Sequence, residues 1–408
     1  MNCRNCNSPM NIVFADLGTS PPSNSYLKFS QLQEPELFYP LRVKVCKFCW
    51  LVQTEDFAKR EVFFSPDYAY FSSFSKTWIE HAKEYVSKMA DRFKLGKDSF
   101  VVEVASNDGY LLQFVKERGI PCLGVEPTKS TSEVAIQKGI PTLQEFFGEK
   151  FATSYVRENK QADLIAANNV LAHVPDMNDF LKGFYILLKD TGVVTFEFPH
   201  LLQLVKKTQF DTIYHEHYSY LSLISVENVF CNNGLEIFDV EEMDTHGGSL
   251  RIFAQKKGIG SYSITERTIA LKQKEKEAGI DQSEFYEGFQ DKINKVKNHT
   301  LEFLIQAKNK NLTVIGYGAA AKGNTFLNYA GIRSDLISYV VDKNPHKQNK
   351  FLPGSRIPIV SEARIKDTKP DFVIIFPWNL KNEINDQLSY IKEWGGKFIV
   401  AIPNFEIF

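Results

Sequence analysis

The chain is predicted to be an α/β protein in three parts: a small cysteine-clamped N-terminal domain, then two Rossmann-like domains in tandem. Three observations predict it. Four of the six cysteines form two C-x2-C pairs, Cys3/Cys6 and Cys46/Cys49, within the first fifty residues. From Phe100 onward apolar runs alternate with amphipathic ones, in the order FVVEV, YLLQFVKERG, CLGVEP, DLIAANNV and GVVTFEFP. That is the pattern of a mostly parallel sheet with crossover helices. A second alternation opens at Asn311 with a strand, a glycine-containing turn and a helix, NLTVIGYGAAAKGNTFLNYAG. At 408 residues the chain exceeds one ordinary core, and the expected domains are 1–70, 71–300 and 301–408.

The N-terminal part comes first. MNCRNCNSPM lacks the apolar core of a signal peptide, and no apolar run approaches membrane-spanning length. The expected location is therefore cytoplasmic. In a reducing compartment, paired C-x2-C knuckles argue for a tetrahedral metal rather than disulfides. Cys3, Cys6, Cys46 and Cys49 are the expected ligands of one structural zinc, since four thiolates leave no open position for chemistry. Pro21, Pro22 and Pro35 break the long gap between the pairs into turns. Cys122 and Cys231 sit in apolar stretches and read as inert. A net charge of −1 offers no general attraction to nucleic acid or to an anionic membrane.

In the second part, the turn after the first strand, Glu103-Val-Ala-Ser-Asn-Asp-Gly109, lacks the G-x-G-x-x-G spacing that seats a pyrophosphate on a helix N-terminus. Its small polar residues suit a nucleoside bearing an amino-acid tail. Glu126, at the end of the second strand, is placed to accept hydrogen bonds from both ribose hydroxyls. Turn and acid together resemble the class I S-adenosylmethionine-dependent methyltransferases. The third part carries Gly316-x-Gly318-x-x-Ala321, which matches the dinucleotide fingerprint, with Asp342 on the following strand. Lys322 and Asn324 directly after the turn widen that reading to any diphosphate, a nucleoside diphosphate included.

Between these parts lies Gln209–Leu221, QFDTIYHEHYSYL, which holds two of the eight histidines around one glutamate. Tyr214, His215, Glu216 and His217 are groups that exchange protons near neutrality. H-E-H is not the zinc-protease arrangement, which needs histidines at i and i+4. Run as a strand, it would turn His215 and His217 to one face and Tyr214 and Glu216 to the other.

Taken in order, the two C-x2-C pairs, VVEVASNDGYLL, NNVLAHVPD, FDTIYHEHYSYLS, HGGSLR, GYGAAAKGNTFLN and DKNPHKQNKFLPGSRIPI resemble the sugar C-methyltransferases of deoxysugar pathways over nearly the full length. The resemblance implies methylation of a carbon, commonly C3, of a nucleotide-linked 4-keto-deoxysugar held between the second and third domains. It puts the general base on His217 beside Tyr214 and Glu216, with His173 and Tyr68 lining the sugar pocket. Ala105, Ser106, Asn107, Gly109, Glu126, Pro127, Asn168 and Asn169 become the expected S-adenosylmethionine contacts. Tyr70, His246, Arg251, Gly318, Lys322 and Asn324 become the expected substrate contacts. Rival readings are an O- or N-methyltransferase on a nucleotide sugar, an NAD-dependent oxidoreductase using the third domain's fingerprint, and a zinc-bearing scaffold with two degenerate Rossmann folds.

Overall fold

The computed structural model describes residues 1–57 and 71–408. Tyr68 and Tyr70 lie outside the described residues. Three sheets organise the chain. The first is built on β1 (Ile12–Ser20), β2 (Tyr39–Val45) and β3 (Val52–Thr54), all antiparallel. Because β1 returns on β2 with Ile12 opposite Val45, the two cysteine knuckles meet at one end of this sheet. The hairpin, and not the prolines alone, closes the long gap.

The second sheet contains β4 (Val101–Val104), β5 (Cys122–Val125), β6 (Thr142–Leu143), β7 (Ala162–Asn168) and β8 (Leu188–Pro199), all parallel where they pair. β9 (Ser219–Tyr220) leaves this unit and pairs with β3, becoming the fourth strand of the N-terminal sheet. β10 (Leu235–Met243) and β11 (Ser249–Lys256) complete the second sheet on the far side of β8, antiparallel. The resulting order is β10-β11-β8-β7-β4-β5-β6. The strand order reverses direction beside β4, so the C-terminal ends of β4, β5 and β7 open a crevice for a ligand. Every residue of β11 is buried, a pattern that hides its strand character from an alternation test.

The charged stretch between the second and third sheets forms two helices, Glu266–Glu277 and Phe289–Asn309. The break is a turn centred on buried Tyr286. Thr265 caps the first helix by accepting from the Thr268 amide. The second lies under the N-terminal sheet, where Phe289 stacks on Phe14 with ring centroids 4.4 Å apart, a pair contributing about 0.5–1.5 kcal/mol beyond its area.

The third sheet joins β12 (Val314–Tyr317), β13 (Val340–Val341), β14 (Ile359–Val360), β15 (Phe372–Ile375) and β16 (Lys397–Val400) in parallel, with β17 (Glu406–Ile407) antiparallel at one edge. One hydrophobic core runs from Phe14 and Val43 of the first sheet to Ile315 and Val373 of the third. The cysteine knuckles pack against the second sheet's core instead. The N-terminal unit thus wedges between the other two. No described helix is long and apolar enough to cross a membrane. Cys231, expected in apolar surroundings, is exposed, with the Lys257 ammonium 2.9 Å from its sulfur.

Candidate active site

Each C-x2-C knuckle is a tight turn. Trp50 N–H donates back to the Cys46 carbonyl and Asn7 N–H to the Cys3 carbonyl. The residue after each second cysteine, Asn7 and Trp50, takes positive φ, so the chain can reverse around a central ion. All four sulfurs lie within 4.8 Å of one another, and Cys3–Cys49 and Cys6–Cys46 are each 3.5 Å apart. Tetrahedral Zn–S bonds of about 2.3 Å require sulfurs roughly 3.8 Å apart, so the set fits zinc with little adjustment. Gln53 Nε2 donates to Cys3 Sγ at 3.1 Å, an outer contact that spacing did not reveal.

The cysteine module also grips the His-Glu-His segment. Arg4, inside the first knuckle, donates to the carbonyls of Thr54 and Tyr218 at 3.0 and 3.2 Å. Thr54 N–H donates to Tyr218 O at 3.1 Å, and its hydroxyl donates to the His217 carbonyl.

That segment is not the strand considered from sequence. Phe210–Thr212 forms a short 3-10 helix and Tyr214–His217 a tight turn, closed by His217 N–H on the Tyr214 carbonyl at 2.9 Å. A turn brings i and i+3 together, so Tyr214 and His217 share one face. The Tyr214 hydroxyl lies 2.7 Å from His217 Nε2. His217 Nδ1 is 2.8 Å from the Thr212 carbonyl, which can only accept. The neutral ring therefore carries its proton on Nδ1 and its lone pair on Nε2, toward the phenol. His215 turns away, its Nε2 3.2 Å from the Pro40 carbonyl.

Around this turn, the second and third sheets enclose a cavity of about 470 Å³. From the second unit it is lined by Ala105, Asn107, Glu126, Pro127, Asn168, Asn169, His173 and His246. Tyr214, Glu216 and His217 form the middle of the wall, and Lys322 and Lys347 come from the third unit. Asn24, Trp78 and Tyr110 also line it. Asn24 stands in the otherwise unmarked run SNSY, and Tyr110, although inside VVEVASNDGYLL, carried no expected role.

Burial dominates the electrostatics here. It holds the His217 imidazole well below its ordinary range, with neighbouring His173 adding to the effect. His173 is pushed down to about 4 by burial, against the pull of its Nδ1 bond to the Glu216 carbonyl. His246 is lowered to about 4 by burial and then by the Lys322 charge. Glu216 moves the other way, up to about 7, because burial outweighs its bonds to Asn24. Near neutrality the site thus holds neutral imidazoles beside a carboxyl poised to titrate.

At the β4 and β5 ends, Ala105, Asn107 and Gly109 all take positive φ, which for the two non-glycine residues costs about 1 kcal/mol each. Glu126 ties this turn down, accepting from Asn107 N–H at 3.0 Å and Thr128 N–H at 2.8 Å. Each carboxylate oxygen keeps lone-pair capacity for a ribose hydroxyl. The side-chain oxygens of Asn168 and Asn169 are buried without a partner among the described residues, which fits a polar ligand at this end. Replacing Glu126 by alanine is expected to weaken S-adenosylhomocysteine binding by about 1.5–3 kcal/mol. Calorimetry returning an unchanged affinity would remove Glu126 from the donor site.

Five residues expected at the ligands lie elsewhere. Ser106 is fully buried under the turn against Gly124, and Gly109 packs on Ile140, where no β-carbon fits. Arg251, on buried β11, spends its guanidinium on Glu197 and Glu241 at 3.1 and 2.9 Å. Asn324 is buried and donates to the Ser23 carbonyl at 2.6 Å. Gly318, at φ +90°, has Pro377 where its β-carbon would stand. Asp342, the acid of the fingerprint, accepts from the Ala319 and Asn344 amides at 2.8 Å each.

Three family models match this chain: a zinc binding domain at residues 3–64, a methyltransferase domain at 78–240 and a C-methyltransferase C-terminal domain at 244–403. The C-methyltransferase NovU of Streptomyces niveus is 32% identical over 401 residues, covering 98% of this chain and 95% of that protein. Among solved structures, magnesium protoporphyrin IX methyltransferase of Synechocystis PCC 6803 is 14% identical, with a TM-score of 0.34 over 44% of this chain and 79% of that one. An S-adenosylmethionine-dependent methyltransferase of Thermotoga maritima is 18% identical, with a TM-score of 0.35 over 45% of this chain and 95% of that one.

Proposed function

This chain belongs to the S-adenosylmethionine-dependent C-methyltransferase family, and from that premise we propose that it methylates C3, beside the ketone, of a nucleotide-linked 4-keto-deoxysugar. One observation carries the reading: a neutral imidazole of defined tautomer lines a cavity that also holds Glu126 and Asn107 of the second unit and Lys322 and Lys347 of the third.

A carbon must lose a proton before it can attack an electrophile, and it does so readily only beside a carbonyl whose enolate oxygen is stabilised. Because the Tyr214 hydroxyl occupies that lone pair, the proton reaches His217 Nε2 through it: the phenol gives its own proton to Nε2 as it takes the one from carbon. The Thr212 carbonyl holds the resulting imidazolium by Nδ1–H, and Tyr214 accepts from its Nε2–H. Such a base contributes about 10²–10⁴-fold. His173, neutral and with its Nδ1 proton committed to the Glu216 carbonyl, is fixed in orientation on the same wall. Glu216 accepts a hydrogen bond from the sugar hydroxyl beside the reacting carbon. When bound, S-adenosylmethionine supplies the electrophilic methyl group, so the chemistry asks nothing of the zinc.

The diphosphate lies at the start of the helix Ala321–Ala330, whose first residues line the cavity. Lys322 reaches there, its ammonium 4.4 Å from the Trp378 ring centroid and 3.0 Å from Asn379 Oδ1. Trp378 is anchored in turn by its indole N–H on Asp211 at 2.8 Å. With the nucleoside end of the methyl donor assigned to the second unit, Lys322 beside this turn favours a sugar diphosphate over NAD here. Lys322→Ala should raise the apparent KM of the sugar nucleotide about tenfold and leave S-adenosylhomocysteine affinity alone, as loss of one charged hydrogen bond predicts. Steady-state kinetics with an unchanged KM, or tight NAD binding that competes with the sugar, would reverse this assignment.

The deciding experiment supplies labelled S-adenosylmethionine and a panel of dTDP-, UDP-, GDP- and CDP-linked 4-keto-6-deoxyhexoses, then locates the new methyl by NMR. A methyl on oxygen or nitrogen defeats the reading.

A further inference from the structure

Residues 23–27 of the N-terminal unit run across the mouth of the third unit. The Ser23 carbonyl accepts from Asn324, and the Tyr26 hydroxyl donates to the Ala319 carbonyl at 2.6 Å. Between these two anchors, the Asn24 amide nitrogen lies 2.7 Å from Glu216 Oε1 and 2.9 Å from Oε2. Among the described residues, both hydrogen bonds to this buried carboxylate therefore come from one side chain of another unit. Asn24 itself lines the cavity.

We propose that Asn24 is a positioning residue for methyl transfer: anchored at both sides, its amide holds the Glu216 carboxylate in the orientation that receives the substrate hydroxyl. The proposal rests on the substrate reading above. The ionised carboxylate is the better partner for the amide on both oxygens, since a carboxylic acid commits one of them to its own O–H. Asn24 thus opposes the burial that raises the Glu216 acidity constant. Other titratable or charged groups lining the same cavity are Tyr110, Glu126, His173, Tyr214, His217, His246, Lys322 and Lys347, and the Glu216 charge is felt at Tyr26. Lys347 donates to the Ala319 carbonyl at 2.8 Å and Lys322 to Asn379 Oδ1 at 3.0 Å.

The test uses Asn24→Ala and the nearly isosteric Asn24→Asp, which keeps the packing but, ionised, has no donor. In the S-adenosylhomocysteine-bound protein, the Glu216 carboxyl stretch is read by infrared difference against the matching Glu216→Gln protein. Its titration midpoint should rise by about one pH unit in Asn24→Ala and further in Asn24→Asp. The acidic limb of kcat should rise with it, while S-adenosylhomocysteine affinity and zinc content stay unchanged. A midpoint that does not move in either variant overturns the proposal. So does a moved midpoint with an unmoved acidic limb, which would leave Asn24 a purely structural contact. Wild-type protein that methylates no 4-keto sugar would strike the substrate reading separately, because the infrared titration needs no turnover.

Discussion

Replacing His217 by asparagine is expected to leave both ligands bound and to lower kcat by about 10²-fold or more. Asparagine keeps much of the volume, and its amide N–H can still meet the Thr212 carbonyl that His217 engages at 2.8 Å. It cannot accept a proton near neutral pH. Deprotonation and methyl transfer are separable, so wild-type enzyme with S-adenosylhomocysteine in the donor site should exchange the substrate's α-proton for deuterium. The variant should not. Glu216, raised to about 7, is the competing acceptor, and Glu216→Gln should retain exchange if it serves only the hydroxyl. Full activity in His217→Asn would transfer the base to Glu216 or His173.

Cys46→Ser is expected to lose stoichiometric zinc and to lower kcat by about tenfold or more, the usual scale for damage to a metal's supporting structure. The effect reaches the site through a short path. Zinc closes the knuckle that carries Arg4, Arg4 holds the Tyr218 carbonyl, and β3 pairs with β9 immediately after the His-Glu-His turn. Metal binding of this kind is folding free energy, on the order of 10 kcal/mol in small zinc modules. Its loss should loosen His217 before it disturbs Glu126, which belongs to the second sheet. Elemental analysis and calorimetry with S-adenosylhomocysteine separate the two. Retained zinc, or full turnover without it, would contradict this account.

The sequence by itself determined the sequential features: the paired cysteines, the alternation that makes the parallel part of each large sheet, Glu126 at a strand end, and the cluster of Tyr, Glu and His. Each depends on residues that are neighbours in the chain or repeat at the period of one element. Tertiary structure alone decided which of these groups face one another. The His-Glu-His run pairs Tyr214 with His217 because it is a turn, a choice made by the flanking 3-10 helix and by β9 joining a distant sheet. Arg251 looked like a ligand group beside HGGS, but it faces Glu197 and Glu241 because β11 is buried along its whole length. Gly318 takes φ +90° with Pro377 where its β-carbon would stand, a neighbour from far along the chain that only the fold supplies. Asn24 is 192 residues from Glu216. No periodicity links them, since a hydrogen bond between separate units depends on how those units dock.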